Sequence, residues 1–269
     1  MEWANPKQSN QSPKNQINMS NKVLIVSGGA SGIGYAAGVK FAKNGYDVVL
    51  IDIDEEKGKK AEQQIKEMGV DAIFCQCDIS NKEQVQRAAQ ITKERFGRVD
   101  VMVNNAGLEV RGSIMQCTEE DWNRLYDINL KGLYNMSRAF VPMMQEKSAG
   151  AIVNTGSILG YRVVGERAAY SSSKGAIDTL TRSMAFDLAE NNIRVNCVVP
   201  GAIDTPLLRG SINDSPDPAE TERFLGARSV FQRLGTAEEV ANVMYFLASD
   251  EASFVTGATY FVDGGWSML

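Results

Sequence analysis

The sequence predicts an α/β fold: a doubly wound parallel sheet in a single domain. Three observations carry that expectation. Short apolar runs of strand type alternate with helix-period segments along nearly the whole chain, as in a parallel sheet covered on both faces. The first run leads at once into a glycine-rich turn that opens a helix, the setting in which a helix N-terminus meets a phosphate. Most polar motifs follow an apolar run, where such sheets, of Rossmann type, place their ligands.

Taken in order, residues 1–20 are rich in Asn, Gln, Ser, Lys and Pro and lack an apolar core. They read as a disordered tail rather than a secretory signal, with the folded domain expected over 21–269. Lys22–Val26 is a strand, and the turn Ser27-Gly28-Gly29-Ala30-Ser31-Gly32-Ile33-Gly34 follows. Its glycines allow close backbone approach to a pyrophosphate, which the N–H groups of the next helix would hold. That helix is expected to stop near Asn44, before Gly45. Asp47–Ile51 is a second strand, with Asp52 at its end and Ile53 and Asp54 beyond. A carboxylate there can bind ribose hydroxyls and would repel a 2′-phosphate, so NAD(H) is expected over NADP(H).

The alternation continues with a helix over about 55–68, a strand at Ala72–Cys75, Asp78 and Ile79, and a helix over about 82–96. Val99–Val103 is a strand ending in Asn104-Asn105-Ala106-Gly107. A long helix over about 119–146 is broken only by a loop-like Asn129-Leu130-Lys131-Gly132. Strands are expected at Ala151–Val153, Ile193–Val199 and Ala258–Val262, with a helix at Ala237–Ala248. Between Ile203 and about Arg233 the period is lost and Pro206, Pro216 and Pro218 occur. This stretch is expected to be a long loop covering the substrate.

Composition narrows the chemistry. The chain has 269 residues, is 43% hydrophobic and 23% charged, and carries a formal charge of −5 without a dense basic block. Nucleic acid is not an expected partner, and no apolar run is long enough for a membrane span. Cys75, Cys77, Cys117 and Cys197 show no metal-ligand spacing, and there is no His. No metal is expected, and reduced, buried thiols suit a cytoplasmic protein. Without His, proton transfer near neutral pH must fall to a perturbed Tyr, Lys, Cys or carboxylate.

Tyr170 and Lys174 are four apart at the start of an apolar-periodic segment. On a helix the phenol and ammonium share one face. A nearby cation favours the phenolate, and lowering its pKa by about three units takes roughly 4 kcal/mol. Ser171, Ser172 and Ser173 fall between the two and are expected to point elsewhere, as structural residues.

The combination of Ser27-Gly28-x-x-x-Gly32-Ile33-Gly34, Asn104-Asn105-Ala106-Gly107, Asn129, Ser157, Tyr170-x-x-x-Lys174 and Pro200-Gly201 with Thr205 resembles the short-chain dehydrogenases/reductases from about Lys22 to the C-terminus. The first position is usually Thr in that family; Ser27 keeps the hydroxyl. The resemblance implies an NAD-dependent oxidoreductase that interconverts a secondary alcohol and its ketone by hydride transfer. Tyr170 would be the acid/base, and Lys174 would lower its pKa and hold the nicotinamide ribose. Ser157 would bind the substrate oxygen, and Asn129 would position a water in a proton relay. Gly28, Ser31, Gly32, Ile33 and Gly34 would cradle the cofactor. Asp78 and Ile79 would meet the adenine, and Asn105 and Gly107 the adenosine ribose. Pro200, Ile203 and Thr205 would lie at the nicotinamide end.

The likeness is to members that oxidise ring alcohols, so a small cyclic substrate is expected. The family usually forms tetramers or dimers, here through helices at about 121–144 and 168–190. Glu109, Arg111, Tyr161, Arg162 and Arg209 would lie near the mouth, where Arg162 or Arg111 could bind an anion or be solvated surface charge. The alternative is a non-catalytic dinucleotide-binding scaffold or sensor, which would not need all four catalytic residues. Reductases of carbon–carbon double bonds usually space the Tyr and Lys wider. Extended epimerases and dehydratases usually carry Gly-x-x-Gly-x-x-Gly and a longer C-terminal region.

Overall fold

The structure, a computed structural model, describes residues 21–269. The tail expected over 1–20 lies outside the described residues. Seven parallel strands form the main sheet: β1 (Val23–Ser27), β2 (Asp47–Asp52), β3 (Ala72–Gln76), β4 (Val101–Asn104), β5 (Gly150–Thr155), β6 (Ile193–Pro200) and β9 (Thr259–Val262). Their order is β3-β2-β1-β4-β5-β6-β9. Two short strands, β7 (Ile203–Asp204) and β8 (Gly235–Thr236), pair outside it. This is the expected doubly wound α/β sheet in a single domain.

Alternation along β1 shows why both faces need covering. Leu24 and Val26 join a core with α1 (Gly32–Ala42), α2 (Glu55–Lys66) and α9 (Ala237–Ala248). Val23 and Ile25 join the opposite core with α3 (Lys82–Phe96), α5 (Leu133–Gln145) and α6 (Ala168–Asp187). Successive side chains of a strand point to opposite faces, so a strand apolar throughout needs helices on both. The chain winds outward from β1 to β3, then returns to β4 on the other side of β1. That reversal opens a crevice at the carboxyl ends of β1 and β4.

Two expectations need correction. The stretch over 203–233 is not a loop: it holds α7 (Pro206–Asn213) and α8 (Pro218–Gly226). Thr205 caps α7 through Leu208 N and Asp217 caps α8 through Glu220 N, with proline in the first turn of each. Proline there loses nothing, because that N–H has no helical partner anyway. It therefore marked two helix starts rather than lost order.

Residues 129–132 are likewise not a loop. After α4 (Glu119–Tyr126), the turn at Asp127–Gly132 is a π-helix that continues into α5. Gly132 packs on Ile79; a Cβ there would come within 2.5 Å of Ile79 Cδ1.

A buried polar chain crosses β4, β5 and α6. Asn104 Nδ2 donates to Asn154 Oδ1 (2.9 Å), Asn154 Nδ2 to Thr181 Oγ1 (3.0 Å), and Thr181 Oγ1 to Ile177 O (2.8 Å). No helix among the described residues is long and apolar enough to cross a membrane, and none of their His, Cys, Asp or Glu cluster as metal ligands.

Candidate active site

A cavity of about 1060 Å³ opens at the carboxyl edge of the sheet. Gly28, Ser31, Gly32, Ile33, Asp52, Ile53, Asp78, Ile79, Asn105, Gly107, Ser157, Tyr170, Lys174, Pro200, Ile203 and Thr205 all line it. Gly34 and Asn129 lie behind the wall rather than on it.

The glycine turn is built by close approach. Gly28 sits at φ +67°, in the left-handed region that disfavours other residues, and its N–H donates to Ile51 O. A Cβ on Gly34 would lie 2.1 Å from Gly28 O, so the helix can start this near the turn only without a side chain. Ser31 stands at the N-cap of α1 and makes no side-chain cap bond. Ser27 Oγ accepts from Asn105 N (3.0 Å) and Ala106 N (3.2 Å), tying the ends of β1 and β4 together. The hydroxyl that Ser shares with Thr is therefore in use.

Asp52 ends β2 with its carboxylate accepting from Ala30 N (3.0 Å) and Asp54 N (3.1 Å). It thus braces the glycine turn and lines the cavity at once. Asp78 is held by Ser80, whose N–H and hydroxyl both donate to its carboxylate. These residues fit an elongated, anionic nucleotide: backbone N–H groups at a helix start for phosphate, and a carboxylate 22 residues from the turn's Ala30 for hydroxyls.

At the other end Ser157 closes β5 and caps a short turn through Leu159 N (3.2 Å). Tyr170 and Lys174 lie on the first turns of α6. Lys174 is 4% exposed; its Nζ donates to Thr155 O (3.0 Å) and lies 5.9 Å from the Tyr170 ring centroid. Asn129, in the π-turn, accepts from Leu108 N (2.8 Å) and donates to Leu108 O (3.0 Å). A Cβ on Gly107 would sit 3.2 Å from Lys174 Nζ and 3.3 Å from Asn129 Oδ1, so glycine leaves that space open.

The expectation of a lowered phenol pKa is not met by these side chains alone. Burial pushes the Tyr170 phenol up to about 12 and Glu109 adds to this, while Ser157 and Arg167 oppose it. Burial pushes the Lys174 ammonium down to about 8. In a dry site both charged forms are penalised: the phenol stays protonated, while Lys174, at about 8, still carries its charge near pH 7 though less firmly than a free amine.

The arginines depart further from expectation. Arg162 donates to Ser267 O, and Arg209, on α7, pairs with Asp204 and Glu222. Tyr161 packs edge-on against Phe261. None of these three lines the cavity, whereas Glu109 and Arg111 do. Arg111 donates to Ser211 O (2.5 Å).

Sequence reasoning missed Arg228, whose guanidinium lies 4.5 Å from the Phe224 ring and 4.8 Å from the Trp266 ring, all three on the cavity wall. Its Nε is buried without a partner, and it has no ion pair among the described residues. Phe224 lies on α8 and Arg228 in the turn just after it, so no helical spacing linked them. The Glu109–Arg167 pair (2.5 Å), on the same wall, was also missed. So was Ser173: it is fully buried and accepts from Asn129 Nδ2 (3.0 Å).

The family model described as enoyl-(acyl carrier protein) reductase matches residues 28–267. Dehydrogenase/reductase SDR family member 6 of Aquarana catesbeiana is 40% identical over 93% of this chain and 99% of its own length. An NAD+-bound xylitol dehydrogenase superposes with a TM-score of 0.87 at 31% identity, covering 93% of this chain and 100% of the other. L-sorbose reductase from Gluconobacter frateurii, solved with NADPH and L-sorbose, gives 0.88 at 30% identity over 94% and 99%. With the sheet order, the glycine turn and the Tyr170–Lys174 pair in one cavity, the chain belongs to the short-chain dehydrogenase/reductase family.

Proposed function

We propose that the protein is an NAD(H)-dependent oxidoreductase interconverting a secondary alcohol and its ketone, with Tyr170 as the acid/base. The observation that carries this is the Tyr170–Lys174 pair facing, with Ser157, the same cavity as the glycine turn. The dinucleotide, when bound, supplies the hydride acceptor or donor. Gly28, Ser31, Gly32 and Ile33 hold its pyrophosphate, with Gly34 keeping the turn tight. Asp52 and Ile53 take the adenosine ribose, with Asn105 and Gly107 flanking, and Asp78 and Ile79 the adenine. Pro200, Ile203 and Thr205 hold the nicotinamide end, and Lys174 its ribose.

Asp52 supports NAD over NADP. Its carboxylate would face a 2′-phosphate, and Ile53 and Asp54 offer no compensating cation. The similar structures include one with NAD+ and one with NADPH, so the preference rests on this residue.

In the reducing direction the buried, protonated phenol gives its proton to the carbonyl oxygen. Ser157 donates a hydrogen bond to the same oxygen as charge develops. The Lys174 charge then offsets that of the phenolate left behind. Oxidation runs the same proton path in reverse. Asn129 would hold a water between itself and Lys174 for exchange with solvent.

A small cyclic alcohol fits the reading, and Arg228 favours one bearing a carboxylate. A guanidinium supported by two rings and without an acceptor among the described residues is suited to a planar anion. The family model's description would suit reduction of a carbon–carbon double bond, but the three-residue gap between Tyr170 and Lys174 weighs against it. Assembly as a homotetramer or homodimer in the cytoplasm completes the reading, with exposed Tyr134 on α5 and Phe186 on α6 suited to the interface.

The test is absorbance at 340 nm with NAD+ or NADP+ and a panel of cyclohexanol, 4-hydroxycyclohexanecarboxylate and its amide. Turnover with NAD+ is expected, falling about 10²–10⁴-fold in Tyr170→Phe. Intact turnover in that variant would remove Tyr170 from the mechanism, and NADP(H) binding as tightly as NAD(H) would remove the Asp52 argument.

A further inference from the structure

Ser173 lies between the two residues of the acid/base pair and points into the protein, not away from it. It is 0% exposed. Its hydroxyl donates to Tyr170 O (2.8 Å), one helical turn back. A serine hydroxyl has a single proton, so with that proton committed the oxygen can only accept. What it accepts is Asn129 Nδ2 at 3.0 Å.

Asn129 is 2% exposed; both its amide protons have acceptors, and its amide oxygen uses one of two lone pairs. One Nδ2 proton goes to Leu108 O and the other to Ser173 Oγ, while Oδ1 accepts from Leu108 N. Reversing the amide would set its oxygen against the Leu108 carbonyl and its NH2 against the Leu108 N–H. The amide oxygen is therefore held on the side of Gly107, where Lys174 Nζ also lies. Two backbone contacts fix the rotation of the amide, and the serine contact fixes the distance of the π-turn from α6. Tyr126 OH donates to Ser172 Oγ (2.8 Å) at the exposed side of the same junction. Ser173 is the corresponding fastening on the buried side.

The geometry points to Ser173 as a positioning residue for catalysis: it fastens the Asn129 amide to the Tyr170–Lys174 turn, so that one hydroxyl sets the π-turn in register with the acid/base pair. This rests on the oxidoreductase reading above and adds a residue to it. Ser173 touches neither the cavity nor a reacting atom, and acts through Asn129. Alanine at 173 would leave one Asn129 proton buried without an acceptor, which the π-turn can relieve only by shifting.

The experiment has two arms. In the first, the side-chain amide protons of Asn129 are followed by NMR hydrogen exchange in the full-length protein, without substrate. Ser173→Ala is expected to speed exchange of one of the two protons at least tenfold; unchanged exchange of both would overturn the proposal. The second arm is a double-mutant cycle in kcat, with NAD+ and the most active compound of the panel above. Ser173→Ala is expected to lower kcat about tenfold and shift its pH profile, with the Kd for NADH unchanged, yet to cost less than twofold when Asn129 is already alanine. Equal losses in both backgrounds would overturn it. Should alanine fail to fold, Ser173→Cys, of similar size but a poorer acceptor, reads the same two arms. If wild-type protein turns over no compound, the oxidoreductase reading fails in the second arm while the first still judges the fastening.

Discussion

The two ends of the cavity are built by different means. At the nucleotide end the backbone does most of the shaping: Gly28 at positive φ and Gly34 against Gly28 O, with the Ser27 hydroxyl clasping the backbone N–H groups of residues 105 and 106. At the substrate end side chains do it, brought from distant segments: Glu109 against Arg167, Arg111 against Ser211, and Arg228 between Phe224 and Trp266. Backbone-built sites tolerate few residue types and depend on what lies next to them in the chain. Side-chain-built sites can be rewritten one residue at a time, and so can serve one fold with many substrates.

Four changes would break or sharpen that contrast, in descending order of effect. Gly34→Val should abolish cofactor binding, because its Cβ alone would lie 2.1 Å from Gly28 O. Fluorescence titration with NADH would show no saturation, and retained binding would refute a backbone-built cradle.

Lys174→Met should cost activity and add stability. With its folded pKa near 8 against an ordinary 10.5, Lys174 binds fewer protons folded than unfolded between those values. Its burial penalty, on the order of 3 kcal/mol, is therefore present below pH 8 and lifts as pH rises toward 10.5. Tyr170 acts the other way, but only between about 10 and 12. Urea titration should show the variant more stable than wild type at pH 7, with the gap closing by pH 10. A gap independent of pH would mean that Lys174 holds its proton as tightly folded as unfolded, so that burial does not lower its pKa.

Arg228→Met should raise KM for 4-hydroxycyclohexanecarboxylate about 10–100-fold, as expected for a lost charged contact of about 1.5–3 kcal/mol. Its amide should be little affected. Equal effects on both would make Arg228 a packing residue. The smallest change expected is from Asp52→Asn, which removes the charge and keeps the shape. The preference for NAD(H) over NADP(H), as a ratio of Kd values, should fall about tenfold, with a modest loss of Tm, because the amide oxygen can accept from only one of the Ala30 and Asp54 N–H groups.

Legibility in the sequence followed the same divide. The strands and the glycine turn could be read because a buried parallel strand needs an apolar run and a tight βα turn needs glycine. Tyr170, Lys174 and Asp52 could be placed because their distances along the chain are those of a helix turn and a strand end. The substrate wall could not. Arg228 meets Trp266 across 38 residues of sequence, and no local period encodes that meeting. Pro206 and Pro218 read as breaks because proline at a helix start and proline in a loop look alike without the cap beside it. Ser173 was passed over because burial, not spacing, decides which way a hydroxyl on a helix is used.

The amide chain through Asn104, Asn154 and Thr181 has a consequence for how the sheet is assembled. A strand apolar along its length tolerates sliding by two residues, since every second side chain offers the next core a similar surface. Sliding β5 against β4 would separate the Asn104 and Asn154 amides, leaving Asn104 Nδ2 without its acceptor and Asn154 Oδ1 without its donor in a dry interior. These polar groups thus act as a keyed joint. They make the mismatched alignments costly, so that the ends of β4 and β5, and with them Asn105 and Ser157, finish level with each other.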